Sequence, residues 1–276
     1  MNEKKTKIVF VILCYRDTKD VVNLIKNIKS YKLESEILIV NSYYDEPSKE
    51  SIQTTAANYN CDFINIENRG YGYGNNRGVD FVSNKYIYEF LCICNPDIQF
   101  SSLPEDLFNE KYYNAILAPS IKTPYEKKQN PYYYFESHLV YRLKAIGLVK
   151  DIKVSYYLAI IINKCYRFFL DKIYSISKKN PIKIYACHGA CFFIGYEAVE
   201  KLKPLYNENM FLFHEEEHLA KKTMKESIPI YYEKNISLTH FEDGSSEGIK
   251  DKTYQYLRQS YSEYYQYWKC EAGDKF

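Results

Sequence analysis

A segment rich in glycine, asparagine and arginine is the part of this sequence best suited to hold a phosphate group. It covers residues 68–78, with the sequence NRGYGYGNNRG. Glycine lets the backbone approach a ligand closely and adopt positive φ at little cost, and arginine pairs with phosphate oxygens. Further along, a short apolar segment ends at Asn95-Pro96-Asp97, which supplies a carboxylate for a divalent cation. We predict a glycine-rich loop that binds a nucleotide together with its cation.

Two better-known phosphate-binding motifs do not match this segment. The dinucleotide fingerprint Gly-x-Gly-x-x-Gly, started at Gly72, requires a glycine at position 77, where Arg77 stands. That fingerprint also closes the first β–α unit, whereas this segment follows earlier units. The Walker pattern is excluded because the segment contains no Gly-Lys-Ser/Thr. An ordinary glycine-rich surface turn is the remaining alternative.

The densest group of titratable residues is His214-Glu215-Glu216-Glu217-His218. Adjacent carboxylates raise each other's pKa, which suits one of them to act as a general base. The preceding Phe211-Leu212-Phe213 is apolar and would bury this helical turn. The alternatives are a solvated acidic helix start and a His-x-x-x-His metal site. We discount the metal site because the glutamates between the histidines lack the residue order of zinc proteases.

Composition limits the class of protein. A chain of 276 residues suits one large α/β domain, and 37 basic against 35 acidic residues leave no strong field to attract nucleic acid. Several of the eight cysteines lie in apolar segments, where a free thiol behaves as a small buried hydrophobe. Cys187, His188 and Cys191 have no second pair to complete a zinc site. Without a disulfide framework or signal peptide, we expect a reducing, cytoplasmic setting.

Apolar segments alternate with segments of helical periodicity, which predicts a mostly parallel sheet flanked by helices. Ligands of such sheets bind at the carboxyl ends of the strands, where Tyr15, Asn41, Asn68 and Asp97 stand. We predict strands at 8–14, 36–40, 61–66, 89–94, 182–187, 228–232 and 236–240. We predict helices at 17–31, 48–59, 76–83, 197–203, 214–226 and 250–269.

Residues 123–183 interrupt this alternation and contain a predicted helix at 151–174. Its longest stretch without charge, 154–163, has half the length of about twenty residues that a bilayer span needs. Lysines flank or interrupt the apolar residues. Two interpretations stay open: an interfacial helix that touches anionic lipid, and a helical insertion that packs on the sheet or forms a dimer contact.

These motifs together resemble glycosyltransferase family 2, in particular its bacterial rhamnosyltransferase-like and capsular-polysaccharide members. Residues 68–78 are close to the family's Asn-x-Gly-x-x-x-Gly-Asn-Asn-x-Gly segment, which is the most specific match. Asn95-Pro96-Asp97 resembles a variant of the metal-binding Asp-x-Asp motif, with Asn95 in place of the first carboxylate. Cys14-Tyr15-Arg16 is similar to the turn after the family's first strand. Asn41 stands where the family usually has the first acid of a base-binding segment.

The resemblance continues in the second half of the chain. His188-Gly189-Ala190-Cys191 is similar to a Gly-Ala-Cys segment on the acceptor side of the family's site. The segment 211–216 resembles Phe-x-Tyr-x-Glu-Asp, which places the catalytic base at Glu216 and leaves Glu215 as its competitor. His240 with Gly244-Ser245 resembles a later segment near the diphosphate.

What the resemblance implies is a single GT-A domain: a mostly parallel nucleotide-binding sheet flanked by helices, with a helical insertion and a C-terminal helix. Its parts are a nucleotide-sugar half (1–122), the insertion (123–183), an acceptor and catalytic half (184–249) and the helix (250–276). The implied cofactor is Mg²⁺ or Mn²⁺ on Asp97, either held by Asp97 alone or shared with His240. The implied donor-site residues are Tyr15, Asn41, Asn68, Arg69, Gly74, Asn76, Arg77 and Asn95.

The implied activity is that of an inverting hexosyltransferase using dTDP-rhamnose or a UDP-sugar. Its expected acceptor is a polysaccharide or a lipid-linked oligosaccharide, with no nucleic acid as partner. Homodimerisation and contact with the inner face of the plasma membrane are open. The main alternative is a catalytically degenerate nucleotide-sugar-binding subunit, because Asn95 replaces an acid. A sugar nucleotidyltransferase would need a lysine-rich activating loop that is missing, and a membrane-surface scaffold leaves the glycine segment unexplained.

Overall fold

The computed structural model describes residues 4–16, 18–177, 179–242 and 252–271 and is organised around a nine-stranded sheet. The strands are β1 (Lys4–Cys14), β2 (Ser35–Ser42), β3 (Asp62–Ile66), β4 (Tyr86–Cys94), β5 (Ile98–Ser102), β6 (Ile116–Lys122), β7 (Ile182–Ile184), β8 (Cys191–Gly195) and β9 (Ile230–His240). Their spatial order is β3-β2-β1-β4-β8-β6-β9-β5, and β7 pairs with β9.

The first four strands form a parallel half-sheet, β3-β2-β1-β4. Three helices connect them: α1 (Thr18–Ser30), α2 (Glu46–Asn58) and α3 (Tyr71–Lys85). The residues from Ile8 to Ile12 are fully buried, because α1 and α2 cover one face of the sheet and α3 covers the other. Burial on both faces explains the unbroken apolar sequence of β1. The predicted α/β fold is confirmed.

The second half of the sheet is mixed. β8 runs antiparallel to β4 and β6, while β6 and β9 are parallel. The two strands predicted at 228–232 and 236–240 form one strand, because β9 continues through an irregularity between its pairings at Glu233 and Ser237. The strand predicted at 182–187 ends at Ile184. Three further strands, β5, β6 and β8, were not predicted.

Most of the glycine segment is helical, so the predicted loop is wrong beyond residue 70, and the helix predicted at 76–83 is part of α3. Residues from Tyr71 onward form α3, and Gly70 at its N-terminus has φ +107°. A Cβ added at Gly72, Gly74 or Gly78 would lie closer than 3.0 Å to Tyr206, Leu13 or Val11, respectively. The glycines therefore let α3 lie close to the sheet and to the segment before α7, which gives them a packing role.

The remaining helices are α4 (His138–Lys144), α5 (Lys153–Ser177), α6 (Tyr196–Leu202), α7 (Glu215–Lys225) and α8 (Thr253–Glu271), and a π-helical turn, Ala145–Val149, follows α4. The predicted helices at 151–174 and 250–269 are confirmed as α5 and α8. Inserted residues Tyr133, Val140 and Ala159 pack with Ala220 of α7. Leu148 packs with three aromatic residues of α8. In the described part of the chain, every helix is too short or too polar to cross a membrane.

Candidate active site

The ends of β4 and β8 bring two sequence motifs together. Cys94, the last residue of β4, pairs with Cys191, the first residue of the antiparallel β8. The backbone N–H of Asn95 then donates to the carbonyl of Ala190 at 2.9 Å. The segment 95–97 and the segment 188–190 are therefore neighbours, although more than ninety residues separate them in the chain.

Asp97 lies beside His240 for a similar reason. The antiparallel pairing of β5 with β9 sets Ile98 opposite His240, and the N–H of Phe241 donates to the Asp97 carbonyl at 2.9 Å. The Oδ1 atom of Asp97 lies 3.4 Å from Nε2 of His240, and both side chains are largely buried. The two residues predicted to bind metal are thus adjacent.

Gln129 determines which nitrogen of His240 carries the proton. Its Nε2 donates to Glu242 at 2.6 Å, so its Oε1 faces Nδ1 of His240, at 2.8 Å. Nδ1 is therefore the protonated nitrogen, and in the neutral ring the Nε2 lone pair points at the Asp97 carboxylate. A cation placed between the two atoms would therefore be attracted by both. Sequence reasoning missed Gln129, because it lies far from both motifs in the chain.

This arrangement fits a divalent cation. A carboxylate and an imidazole whose other nitrogen is held by a hydrogen bond are typical of metal sites. The described residues contain no group of three or more histidine, cysteine or acidic side chains suited to a metal. Asp97 and His240 could therefore supply only two of the ligands that a divalent cation needs. Phosphate oxygens of a ligand and water would complete the coordination.

His188 is held as a neutral donor next to this pair. Its ring centroid lies 5.6 Å from that of His240, and its Nδ1 accepts from the N–H of Ala190 at 3.1 Å. Burial, followed by the charges of His240 and Arg167, lowers the pKa of His188 to about 3. The ring is therefore neutral at physiological pH, with its proton on Nε2.

Glu216 is hydrogen-bonded to the segment 188–190. The N–H of Gly189 donates to Oε1 of Glu216 at 3.2 Å, while the Gly189 carbonyl accepts from the Tyr71 hydroxyl at 2.8 Å. The N–H of Tyr71 in turn donates to the carbonyl of Phe211 at 2.9 Å. The start of α3 therefore fixes both the segment 188–190 and the residues that lead into α7.

The three adjacent glutamates have different surroundings. Glu217 is buried, forms an ion pair with Lys144 and a hydrogen bond with Nδ1 of His214, and accepts from the Tyr133 hydroxyl at 2.9 Å. Burial alone would raise the pKa of Glu217, but the Lys144 ammonium and the contact with His214 hold it well below its usual range. Burial lowers the pKa of His214 itself, so Lys144 is the cationic partner. Glu217 is therefore an ionised link between α7 and the inserted region.

Glu215 and Glu216 behave differently from Glu217. Glu215 is buried, and its Oε1 has no hydrogen-bond partner among the described residues. Burial, followed by the charge of Glu216, raises the pKa of Glu215 well above its usual range. Burial also raises the pKa of Glu216, while its own backbone N–H and that of Gly189 oppose the rise. Glu216 alone of the three is partly exposed, which suits it to exchange a proton with a ligand.

The ends of β1 and β2 form a partly exposed aromatic cluster. The guanidinium of Arg16 lies 3.7 Å from the ring centroid of Tyr44 and 4.8 Å from that of Tyr15. Asn41 is fully buried, and its amide donates to Asn65 at 2.6 Å. Tyr44, two residues after the end of β2, was not predicted. The cluster offers ring faces and a cation to a flat or anionic ligand group.

The remaining predicted donor-site residues lie on or before α3. Asn76 is buried, and its amide donates to the Tyr206 carbonyl at 2.9 Å and to Glu208 at 3.1 Å. Arg77 forms an ion pair with the same glutamate at 2.6 Å. Both residues therefore join α3 to the chain before α7. Arg69 is exposed, with its guanidinium 4.6 Å from the Tyr73 ring centroid, and Asn68 is partly exposed. The predicted residues Gly244 and Ser245 lie outside the described part of the chain.

A groove of about 390 Å³ borders Asp97 between α1 and β5. Polar side chains of α1 line one side, among them Asp20, Asn23 and Lys26, and residues from Pro96 to Gln99 line the other. A ligand held at Asp97 can therefore extend along α1.

Comparison with known proteins gives matches among solved structures. No protein-family model and no curated protein sequence matches the chain. The crystal structure of GalNAc-T7 with UDP, GalNAc and Mn²⁺ is similar over 86% of this chain and 44% of that one, with a TM-score of 0.55 at 10% identity. The mannosyltransferase PcManGT from Pyrobaculum calidifontis, in complex with GDP-Man and Mn²⁺, is similar over 95% of this chain and 65% of that one, with a TM-score of 0.55 at 11% identity.

A third similar structure is that of TarS from S. aureus, with a TM-score of 0.52 at 12% identity over 89% of this chain and 38% of that one. The chain thus spans between 38% and 65% of the length of these three proteins. At such low identity the similarity concerns the fold alone. The chain has the fold of the GT-A-type glycosyltransferases.

Proposed function

We propose that this protein is an inverting glycosyltransferase that moves a hexosyl group from a nucleoside-diphosphate sugar to a saccharide hydroxyl. One observation carries the proposal: the segment 188–190 contacts both halves of the site. Ala190 accepts from the backbone of Asn95, two residues before the candidate metal ligand Asp97, and Gly189 donates to the candidate base Glu216. A metal carboxylate and a base on either side of one segment suit a reaction between a diphosphate and a hydroxyl.

On the donor side, Asp97 and His240 would hold Mg²⁺ or Mn²⁺. The cation, when bound, neutralises charge on the leaving diphosphate. Two of the similar structures, GalNAc-T7 and PcManGT, contain Mn²⁺ together with a nucleotide, which supports this assignment. We assign the nucleoside to the cluster of Tyr15, Arg16 and Tyr44 at the ends of β1 and β2, near Asn41.

Within the run 68–78 we keep Asn68 and Arg69 as donor-site residues, since both reach the surface. Asn76 and Arg77 already have partners within the chain, and Gly74 packs against Leu13. We therefore give these three residues the role of supporting the site. The nucleotide base that we favour is a pyrimidine, as in dTDP-rhamnose or a UDP-sugar, and the acceptor is a polysaccharide or a lipid-linked oligosaccharide.

On the acceptor side, Glu216 takes the proton of the attacking hydroxyl. The hydroxyl oxygen forms a bond to the anomeric carbon from the face opposite the diphosphate, and the bond from that carbon to the phosphate oxygen breaks. Configuration at the anomeric carbon is therefore inverted, and one carboxylate suffices, unlike the two that glycosidases need. Because its pKa is raised, Glu215 stays protonated, and the negative charge of this pair of glutamates lies on Glu216.

A second candidate is a nucleotide-sugar-binding subunit without transferase activity. It is favoured by Asn95, which stands in place of an acid, and by the metal ligand set of only two side chains among the described residues. Both candidates predict binding of a nucleotide, and they differ in turnover.

The test is calorimetric titration of the full chain with UDP, dTDP, GDP and CDP, each with Mn²⁺ and with EDTA. We expect metal-dependent binding of one pyrimidine diphosphate and its loss in Asp97→Ala. The matching nucleotide sugar is then assayed for release of free diphosphate with candidate saccharides. Binding without turnover would establish the second candidate, and no binding of any of the four nucleotides would refute both.

A further inference from the structure

The solvent-facing side of α5 is apolar. Eight large apolar side chains of this helix are between 44% and 83% exposed: Val154, Tyr157, Leu158, Ile161, Phe168, Phe169, Ile173 and Ile176. A helix on the surface of a globular domain normally turns polar residues to solvent. The inner side of α5 is also packed, with Ala159 and Ile162 in one apolar cluster with Val140, so this helix has apolar residues on both sides.

These residues form one continuous face. Val154, Leu158, Ile161, Phe168 and Phe169 recur at steps that add to whole helical turns, so their side chains lie on the same side of the helix. The helix has 25 residues, which corresponds to about 37 Å. We call this surface the outer face of α5. A contiguous apolar surface of this length marks an interaction site.

The charges around the outer face are basic. Lys150, Lys153, Lys164 and Lys172 are exposed along or just before the helix. Asp171 is the single acidic residue in α5, and it accepts from the Tyr134 hydroxyl at 2.7 Å. Asp151, just before the helix, pairs with Arg258 at 2.9 Å.

This charge distribution discriminates between two occupants. A second copy of the chain, placed face to face with the first, would set lysines against lysines, with both nearby aspartates already engaged within each copy. An anionic lipid surface would supply the missing negative charge and accept the apolar side chains. Phe168 and Phe169 are among the residue types found on the apolar face of helices that lie at the boundary between headgroups and acyl chains.

We propose that the outer face of α5 binds the surface of a bilayer that contains anionic lipid, with the helix lying in the plane of the interface. This proposal does not depend on the proposed function, but it bears on where the acceptor would be bound. Arg167, next to Phe168, turns inward and donates to the backbone carbonyl of Lys128 at 2.9 Å and to that of Gln129 at 3.4 Å. The inner side of α5 thus borders the residues that hold His240, which would place the active site close to a membrane-bound acceptor.

The test is flotation of the full chain with vesicles of phosphatidylcholine alone and of phosphatidylcholine mixed with phosphatidylglycerol. We expect binding to the mixed vesicles that weakens as salt rises. The triple variant I161S/F168S/F169S should lower the partition coefficient by roughly tenfold or more. Tyr125→Ser, which removes an aromatic side chain that is 92% exposed outside α5, should leave it unchanged.

Three results would overturn the proposal: no binding to mixed vesicles, equal binding by the triple variant, or a dimer in sedimentation velocity that the triple variant dissociates. The last result would assign the outer face to a second copy. Circular dichroism and the unfolding temperature check that the variant is folded. Nucleotide titration in solution, without vesicles, separates a failure of this proposal from a failure of the proposed function.

Discussion

The backbone N–H of Gly189 donates to Oε1 of Glu216, and the same oxygen would lie 3.0 Å from a Cβ added at that glycine. The carboxylate therefore rests against a surface that only glycine leaves open. We expect Gly189→Ala to displace Glu216 and to lower kcat by roughly tenfold to a hundredfold, since small misplacements of reacting groups are costly. The Kd for the nucleoside diphosphate should stay unchanged. Equal turnover in the variant would show that this contact does not position the base.

The assignment of the base rests on the difference between two adjacent glutamates. Glu216→Gln should lower turnover by about a hundredfold or more, the usual contribution of a general base, with nucleotide binding retained. Glu215→Gln is the matched control, because glutamine has the shape of the protonated carboxyl that the raised pKa of Glu215 predicts. A larger loss in Glu215→Gln than in Glu216→Gln would reverse the assignment. In the wild type, kcat should decrease as the pH is lowered, because Glu216 becomes protonated. This decrease should begin at a higher pH than for an ordinary glutamate, because the pKa of Glu216 is raised.

Gln129 is expected to affect the metal without touching it. Gln129→Ala removes the acceptor that holds the proton of His240 on Nδ1, so Mn²⁺ affinity should fall by about tenfold to a hundredfold. The measurement is a titration with Mn²⁺ in the presence of the nucleoside diphosphate, in which electron paramagnetic resonance detects the free Mn²⁺. Gln53→Ala, an exposed glutamine in α2, is the control. Unchanged Mn²⁺ affinity in Gln129→Ala would mean that His240 is not a ligand.

Glu217 should matter for stability, because it is the buried partner of Lys144 and His214. Glu217→Gln leaves the Lys144 ammonium buried without its counter-ion, and we expect a loss of about 3–5 kcal/mol in the free energy of unfolding at neutral pH. The folded-state pKa of Glu217 lies below its unfolded value. Its contribution is therefore present above the unfolded pKa of about 4.3 and is lost as the pH falls toward the folded pKa.

Denaturant unfolding of wild type and variant at neutral and acidic pH measures this effect. The difference between the two proteins should shrink as the pH falls below about 4.3. Glu200→Gln breaks an exposed pair with Lys203 and should change stability by less than about 1 kcal/mol. If the Glu217→Gln variant is as stable as this control, the contacts of Glu217 with Lys144 and His214 do not stabilise the fold.

The packing role of the α3 glycines can be separated from ligand binding. Gly78→Ala would push a Cβ against Val11 and Val40, and we expect a destabilisation of about 1–3 kcal/mol from overpacking. The Kd for the nucleoside diphosphate, measured well below the unfolding temperature, should be unchanged. A variant with normal stability and weakened nucleotide binding would instead restore the interpretation of this segment as a ligand-binding loop.

The sequence was sufficient for the parallel half of the sheet. The apolar segments of β1 and β4 and the helical periodicity of α1 are local patterns, and burial on both faces of the sheet produces them directly. It was insufficient for the first part of α3, residues 71–75, since glycine costs about 1 kcal/mol per residue in a helix and four glycines in nine residues indicate a loop. Close packing of Gly74 on Leu13 and of Gly78 on Val11 overrides that local preference.

The sequence by itself determined which reactive groups exist and near which elements they stand: Asp97 after β4, His240 at the end of β9, and three glutamates at the start of α7. Only the tertiary structure decided what each group can do. Glu215, Glu216 and Glu217 are the same residue in one helical turn, yet one is buried without a hydrogen-bond partner for Oε1, one rests on Gly189, and one is paired with Lys144. Burial and partners set the charge of a carboxylate, and both come from chain segments far away in the sequence.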